Sequence, residues 1–284
     1  MSDNPQYGAS RPFALHALRV LQLSGRDALA FAQAQFMNDV TSLADGDWQW
    51  SGWLDPKGRV QALFALLRID AETAWVVTAA DAETLAASLR RFVFRSKVKI
   101  EDASVHASGV FMSPQSATGG RSARTGDAIE LDLSGDAGGR TLVLAPSPGA
   151  APTIDEEAAW WHLDIAHGWP GLPGTALDHW TPQQLSLQRF DAFSVKKGCY
   201  PGQEIVARTH FLGRAKRGLA RLRVGGDASA GDALTDAEGR DVGQVVVVRS
   251  DEALAVVPLE PADAVLRLRD GAVERLALAD GLKR

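Results

Sequence analysis

The sequence predicts an α+β protein that closes with a small antiparallel β-barrel. Two patterns carry that prediction. Up to about residue 215, short alternating runs are interspersed with segments of helical periodicity. From Gly218 the helical segments stop, and short alternating runs are cut by Gly, Asp and Pro. The 284 residues are enough for two or three compact units, and 45% hydrophobic with 23% charged content suits a packed core.

The elements follow in order. Residues 1–11 are polar and rich in turn formers, which predicts a disordered arm. Leu15 to Leu23 alternates as a strand. Asp27 to Val40 places Ala28, Leu29, Phe31, Ala32, Phe36 and Val40 at helical spacing. Trp48–Trp53, Val60–Ile69 and Ala74–Thr78 read as strands of an antiparallel series, with a turn at Asp55-Pro56-Lys57-Gly58. A helix over Asp81–Phe94 and a strand over Lys97–Glu101 complete a unit of ferredoxin-like type at about residues 50–103. The segments 114–126 and 134–153 are rich in Gly, Ser, Pro and Ala, which predicts loops around strands at Ala128–Leu133 and Thr141–Ala145. Ile154–His167 reads as a helix opened by acids and stopped by Gly168-Trp169-Pro170-Gly171. Thr181-Pro182 has the chemistry of a helix start. The barrel is expected over 215–284, with strands at Leu219–Val224, Gln244–Arg249, Ala253–Val257 and Ala264–Leu268.

Composition narrows the function. A net charge of −5 disfavours a protein that coats nucleic acid with its whole surface. One cysteine permits no internal disulfide and fits a reducing, cytoplasmic setting. One thiolate cannot hold an iron–sulfur cluster by itself. The six histidines show no zinc-site spacing, so no resident metal is expected. No signal peptide and no membrane-length apolar run is seen.

That single cysteine stands in Lys197-Gly198-Cys199-Tyr200-Pro201-Gly202-Gln203-Glu204. Gly198 and Gly202 allow unusual backbone angles, and Pro201 keeps Tyr200 out of the helical region. Gln203–Arg208 then reads as the start of a helix. Cys199 is expected to be exposed just ahead of that helix, where Lys196, Lys197 and backbone N–H groups favour the thiolate. The alternative is an inert cysteine packed in a tight turn.

Two further clusters stand out. Trp160, Trp161, Trp169 and Trp180 crowd one segment, as core packing or as stacking faces for a flat heterocycle. Lys196, Lys197, Arg208, Arg214, Lys216, Arg217, Arg221 and Arg223 cluster around Glu204, as a solvated face or as an anion site. Few aromatics interleave with this second cluster, which argues against a single-strand RNA groove there.

The block Lys197–Glu204 resembles the signature of the YgfZ group of folate-binding proteins, which is related to the aminomethyltransferase (T-protein) of the glycine cleavage system. Supporting matches are Leu23-Ser24-Gly25, Phe36–Val40, Asp55–Arg59, Phe94–Val98, Trp160, Gly168, Pro170, Thr181-Pro182-Gln183, Ile205–Arg208 and Arg214–Arg217. The resemblance implies an aminomethyltransferase-like clover-leaf fold, with a folate-binding region over 12–214. It implies bound tetrahydrofolate, a role in iron–sulfur cluster assembly or repair, and through it an indirect role in tRNA modification. Folate, iron–sulfur proteins or their assembly factors, and tRNA-modifying enzymes become the expected partners, with no membrane. Cys199 and Lys197 become the candidate reactive pair, and Trp160, Tyr200, Gln203, Glu204 and Arg208 the candidate folate contacts. Two positions depart from the family: Leu18 falls where a second folate-associated tryptophan is expected, and Ala166-His167 where relatives often carry a glutamate.

Three functions follow as expectations. The first is a folate-dependent accessory protein with Cys199 as its functional thiol. The second is an aminomethyl transferase, which needs a carboxylate beside the reactive folate nitrogen; the corresponding stretch, Gly58–Leu63, has none. The third is a non-catalytic RNA-binding or scaffold protein.

Overall fold

The computed structural model describes residues 11–211, 213, 215–269 and 271–284. The expected disordered arm lies outside the described residues except for Arg11, whose guanidinium pairs with Glu156 at 3.1 Å.

The chain opens with two short strands, β1 (Phe13–Ala14) and β2 (Arg19–Ser24), where a single strand was expected. Helix α1 covers Ala28–Gln35 and ends before the predicted Val40. Tertiary pairing overrides helical periodicity there: Phe36 is extended and forms an antiparallel bridge with Trp53. Strands β3 (Trp48–Leu54), β4 (Val60–Arg68) and β5 (Thr73–Thr78) follow, then α2 (Ala82–Arg90) and β6 (Lys99–Asp102). Asp81 caps α2 by accepting from Thr84 N.

These strands form one antiparallel sheet in the order β3-β4-β5-β2-β6. Both helices serve its core, formed by Leu21, Leu23, Phe31, Phe36, Phe64, Leu85 and their neighbours. The split strand–helix–strand arrangement needs β2 and α1, so the ferredoxin-like unit starts at Arg19 rather than near residue 50.

A second antiparallel sheet, β1-β7-β10-β9-β8, uses β7 (His106–Val110), β8 (Ala123–Thr125), β9 (Ala128–Asp132) and β10 (Thr141–Ala145). Strand β7 was not anticipated because His106-Ala107-Ser108-Gly109-Val110 has weak strand propensity. Gly109 is required there: a Cβ would lie 2.7 Å from the Trp160 ring. Helix α3 (Ile154–His167) has a full capping box between Thr153 and Glu156 and a left-handed Gly168 at its end. Thr181 makes the expected reciprocal cap, its backbone N–H donating to Gln184 Oε1 at 3.0 Å and its Oγ1 accepting the Gln184 N–H at 3.4 Å, but the segment continues as turns and not as an α-helix.

Helix α4 covers Gln203–Phe211. The remaining strands are β11 (Arg217–Arg223), β12 (Ala233–Thr235), β13 (Asp241–Arg249), β14 (Glu252–Pro258), β15 (Leu266–Leu268) and β16 (Gly271–Leu276). They close a six-stranded barrel in the order β11-β14-β13-β12-β15-β16. The barrel does not take in the whole of 215–284. Residues 277–284 return to β3 and α3: Trp50 Nε1 donates to Leu282 O at 2.8 Å, and Ala279 N to Ala166 O at 2.9 Å.

Candidate functional site

The Cys199 loop is held in place by its own backbone contacts. Ser194 N donates to Met37 O at 2.9 Å, and Ser194 Oγ accepts the N–H groups of Lys196 and Lys197 at 3.2 Å each. Lys197 is buried, and its Nζ donates to Gln33 O at 2.6 Å, Phe36 O at 2.5 Å and Asn38 O at 3.0 Å. Gln33 and Phe36 sit at the C-terminal end of α1, where carbonyls lack intrahelical partners. The ammonium therefore caps that helix and meets the negative end of its dipole. Burial lowers Lys197 to about 8, and the Asp39 carboxylate opposes the shift.

Tyr200 and Gln203 complete the loop. The Tyr200 ring lies 5.0 Å from Lys197 Nζ, and its hydroxyl donates to Ser194 O at 3.1 Å. Burial pushes the Tyr200 phenol well above its ordinary value. Gln203 Nε2 donates to Lys197 O at 3.0 Å, tying the first turn of α4 back to the loop. Gly202, at φ +78°, lies against the Asp55–Gly58 turn, so the expected Asp-Pro-Lys-Gly turn is a neighbour of the signature. Cys199 is exposed on this frame, as its flanking glycines suggest.

The three N–H groups of Lys197 match three carbonyl acceptors, leaving none to donate to a thiolate at Cys199. Lys197 positions the loop. Glu204 and Arg208 are exposed on α4 and take no part in this network.

Trp160 lies elsewhere, on α3, and is 1% exposed. Phe13 meets its ring edge-on at 5.9 Å, Phe111 lies at 6.0 Å, and the Arg140 guanidinium stands 4.9 Å from its centroid. It lines a cavity of about 40 Å³ together with Leu18, Trp50, Trp161, Asp164 and Trp169. The Trp50 and Trp169 rings lie 4.2 Å apart between centroids, tilted by 38°. Arg140 is fully buried, and its Nη2 donates to Asp164 Oδ1 at 2.5 Å and its Nη1 to Trp160 O at 3.1 Å. Burial pushes the Asp164 carboxyl upward, and Arg140 opposes it.

The structure thus joins Lys197, Tyr200 and Gln203 into one frame beneath Cys199, while Trp160 belongs to a separate cavity that no residue of 197–208 lines. Trp50 and Asp164 line the cavity and Arg140 pairs with Asp164, without any signal in the sequence around them. A buried Arg in a Gly-rich stretch becomes meaningful only when α3 supplies its carboxylate.

A scan against models of known protein families finds no match. Among curated proteins, the chain is 30% identical over 223 residues to "tRNA-modifying protein YgfZ" of Vibrio vulnificus (strain CMCP6), covering 73% of this chain and 68% of that protein. It is 28% identical over 305 residues to the protein of the same name from Klebsiella pneumoniae (strain 342), covering 94% of this chain and 92% of that one. Among solved structures, the glycine cleavage system aminomethyltransferase T from Bartonella henselae superposes with a TM-score of 0.71, at 15% identity, over 96% of this chain and 86% of that one. The fold is therefore aminomethyltransferase-like, and the chain belongs to the YgfZ family.

Proposed function

We propose that this protein is a tetrahydrofolate-binding accessory factor for iron–sulfur cluster assembly or repair, located in the cytoplasm and acting indirectly on tRNA modification, with Cys199 as its functional thiol. The observation that carries the reading is the frame beneath Cys199. A buried ammonium, a buried phenol and an amide are spent on holding a short loop whose sulfur faces solvent. A frame of that kind suits a thiol that meets a partner. Among the described residues no group of three or more His, Cys, Asp or Glu is placed to hold a metal ion, so Cys199 is proposed as a transient metal or sulfur ligand or a redox thiol.

The tryptophan-lined cavity supports the folate part in its chemistry. Trp50, Trp160, Trp161 and Trp169 offer aromatic faces and edges, and Asp164 offers a carboxylate of the type that accepts from a pterin's ring N–H and amino groups. Its volume of about 40 Å³ is far below what a ligand of that size occupies, so binding requires the wall formed by the Trp50 and Trp169 rings to part. Aminomethyl transfer is the weaker reading. Gly58–Leu63 carries no carboxylate where that chemistry needs one.

Titration of the purified protein with tetrahydrofolate, followed by tryptophan fluorescence, tests the folate assignment. The expected result is quenching that Trp169→Ala and Trp160→Ala both diminish. Quenching unchanged in both variants removes the cavity from the proposal. Repeating the titration after blocking Cys199 with a thiol reagent tests whether sulfur and ligand act at one place.

A further inference from the structure

We propose that the segment Arg91–Lys99, between α2 and the end of its sheet, is a contact surface for unpaired RNA. Phe92 and Phe94 would serve as base-stacking platforms, and Arg91, Arg95, Lys97 and Lys99 as phosphate contacts.

Residues 89–100 carry five basic side chains and no acid, in a chain whose net charge is −5. Arg90 is spent on structure: its Nε and Nη2 donate to Ile100 O at 3.0 and 2.5 Å. Arg91, Arg95, Lys97 and Lys99 form no ion pair among the described residues. The acids beside them are Asp27, whose carboxylate accepts the Lys97 backbone N–H at 2.6 Å, and Glu101 and Asp102 at the end of β6.

The aromatic rings are placed against the usual rule of burial. Phe94 is 86% exposed and Phe92 47%, whereas Phe13, Phe31, Phe36, Phe64, Phe111 and Phe190 are all buried. Helix α2 ends at Arg90, so neither ring is held outward by helical periodicity. The Arg95 guanidinium stands 5.5 Å from the Phe94 centroid, an aromatic–cation surface on which a base can stack while its phosphate meets the charge. Phe92 is braced by Trp53 at 6.0 Å.

Alternation of rings and unpaired cations favours RNA over a protein partner, because protein interface cores shed charge where their aromatics lie. The segment also neighbours the Cys199 frame. Trp53 pairs with Phe36, and the Phe36 carbonyl binds Lys197. This inference does not rest on folate or on the proposed chemistry of Cys199.

Fluorescence anisotropy of the full chain with an end-labelled single-stranded oligouridylate tests it. Four phosphate contacts give a log–log salt slope of about −2.8, or roughly fifty-fold weaker binding between about 50 and 200 mM salt. Phe94→Ala should weaken binding roughly five- to hundred-fold with the salt slope unchanged, and Phe94→Tyr should retain it. The double variant Arg95→Gln/Lys97→Gln should flatten the slope by about 1.4. Absence of binding at about 50 mM salt, or equal affinity in wild type and Phe94→Ala, overturns the proposal. So does Phe94-dependent binding to phosphatidylserine vesicles without oligouridylate binding, which would assign the surface to a membrane.

Discussion

Gly202 and Gly58 meet backbone to backbone: a Cβ on Gly202 would lie 2.7 Å from Gly58 Cα and 2.6 Å from Asp55 O. Both glycines have positive φ, +78° and +73°. The Cys199 loop and the Asp55–Gly58 turn are thereby locked together at a spacing only glycine permits.

Gly202→Ala should accordingly separate the two loops. The expected cost is about 2–4 kcal/mol, from strain at a left-handed angle plus a contact with backbone atoms that cannot yield. Urea unfolding measures it. A variant as stable as wild type would show that the loops move apart freely.

Lys197→Met should cost about 3 kcal/mol or more, because three carbonyls lose an ionised donor in a buried setting. Lys197→Arg should not restore the loss, since a planar guanidinium cannot direct its donors at three converging acceptors. If Lys197 served only to activate the thiol, both variants would unfold like wild type and differ only in Cys199 reactivity.

Cys199→Ala is expected to leave stability within about 0.5 kcal/mol of wild type, because the side chain is exposed. It should nevertheless fail to restore iron–sulfur-dependent tRNA thiolation in cells that lack the protein. Full restoration by the alanine variant would end the functional reading of this sulfur.

His167 gives the fold an acid-sensitive point. Its Nδ1 lies 2.7 Å from Leu163 O, and its Nε2 is buried with no hydrogen-bond partner among the described residues. Burial, reinforced by Arg140, Arg189 and Arg284, lowers it to about 4. The unfolded chain takes up its proton near pH 6.5, before the folded chain does, so its stabilising share is intact above pH 6.5 and falls away as pH drops towards 4. The loss is on the order of 3 kcal/mol. Denaturant unfolding at pH 7 and pH 4.5 should show a larger drop for wild type than for His167→Gln. Parallel drops would contradict the assignment.

The parts legible in the sequence were those set by neighbours along the chain. The acids and Thr153 that open α3, and Gly168 that closes it, act within one helical turn, and α3 lies where they place it. Cys199 is exposed because Gly198, Pro201 and Gly202 shape their own loop. The barrel followed from repeated short alternation. Helix α1 was overextended because the pull of Trp53 on Phe36 comes from a strand that periodicity cannot see. Strand β7 was missed because Gly109, poor in any strand, is selected by the bulk of Trp160 packed against it.

By itself, the order of residues determined an α+β chain ending in a barrel and a lone thiol set in a glycine-rich turn. Tertiary structure alone decided that Lys197 grips the end of α1, and that Trp160 and Asp164 share a cavity with Trp50. It also decided that Phe94 stands in solvent. Hydrogen bonds and burial between segments far apart in sequence settle those points, and such contacts leave no local pattern to read.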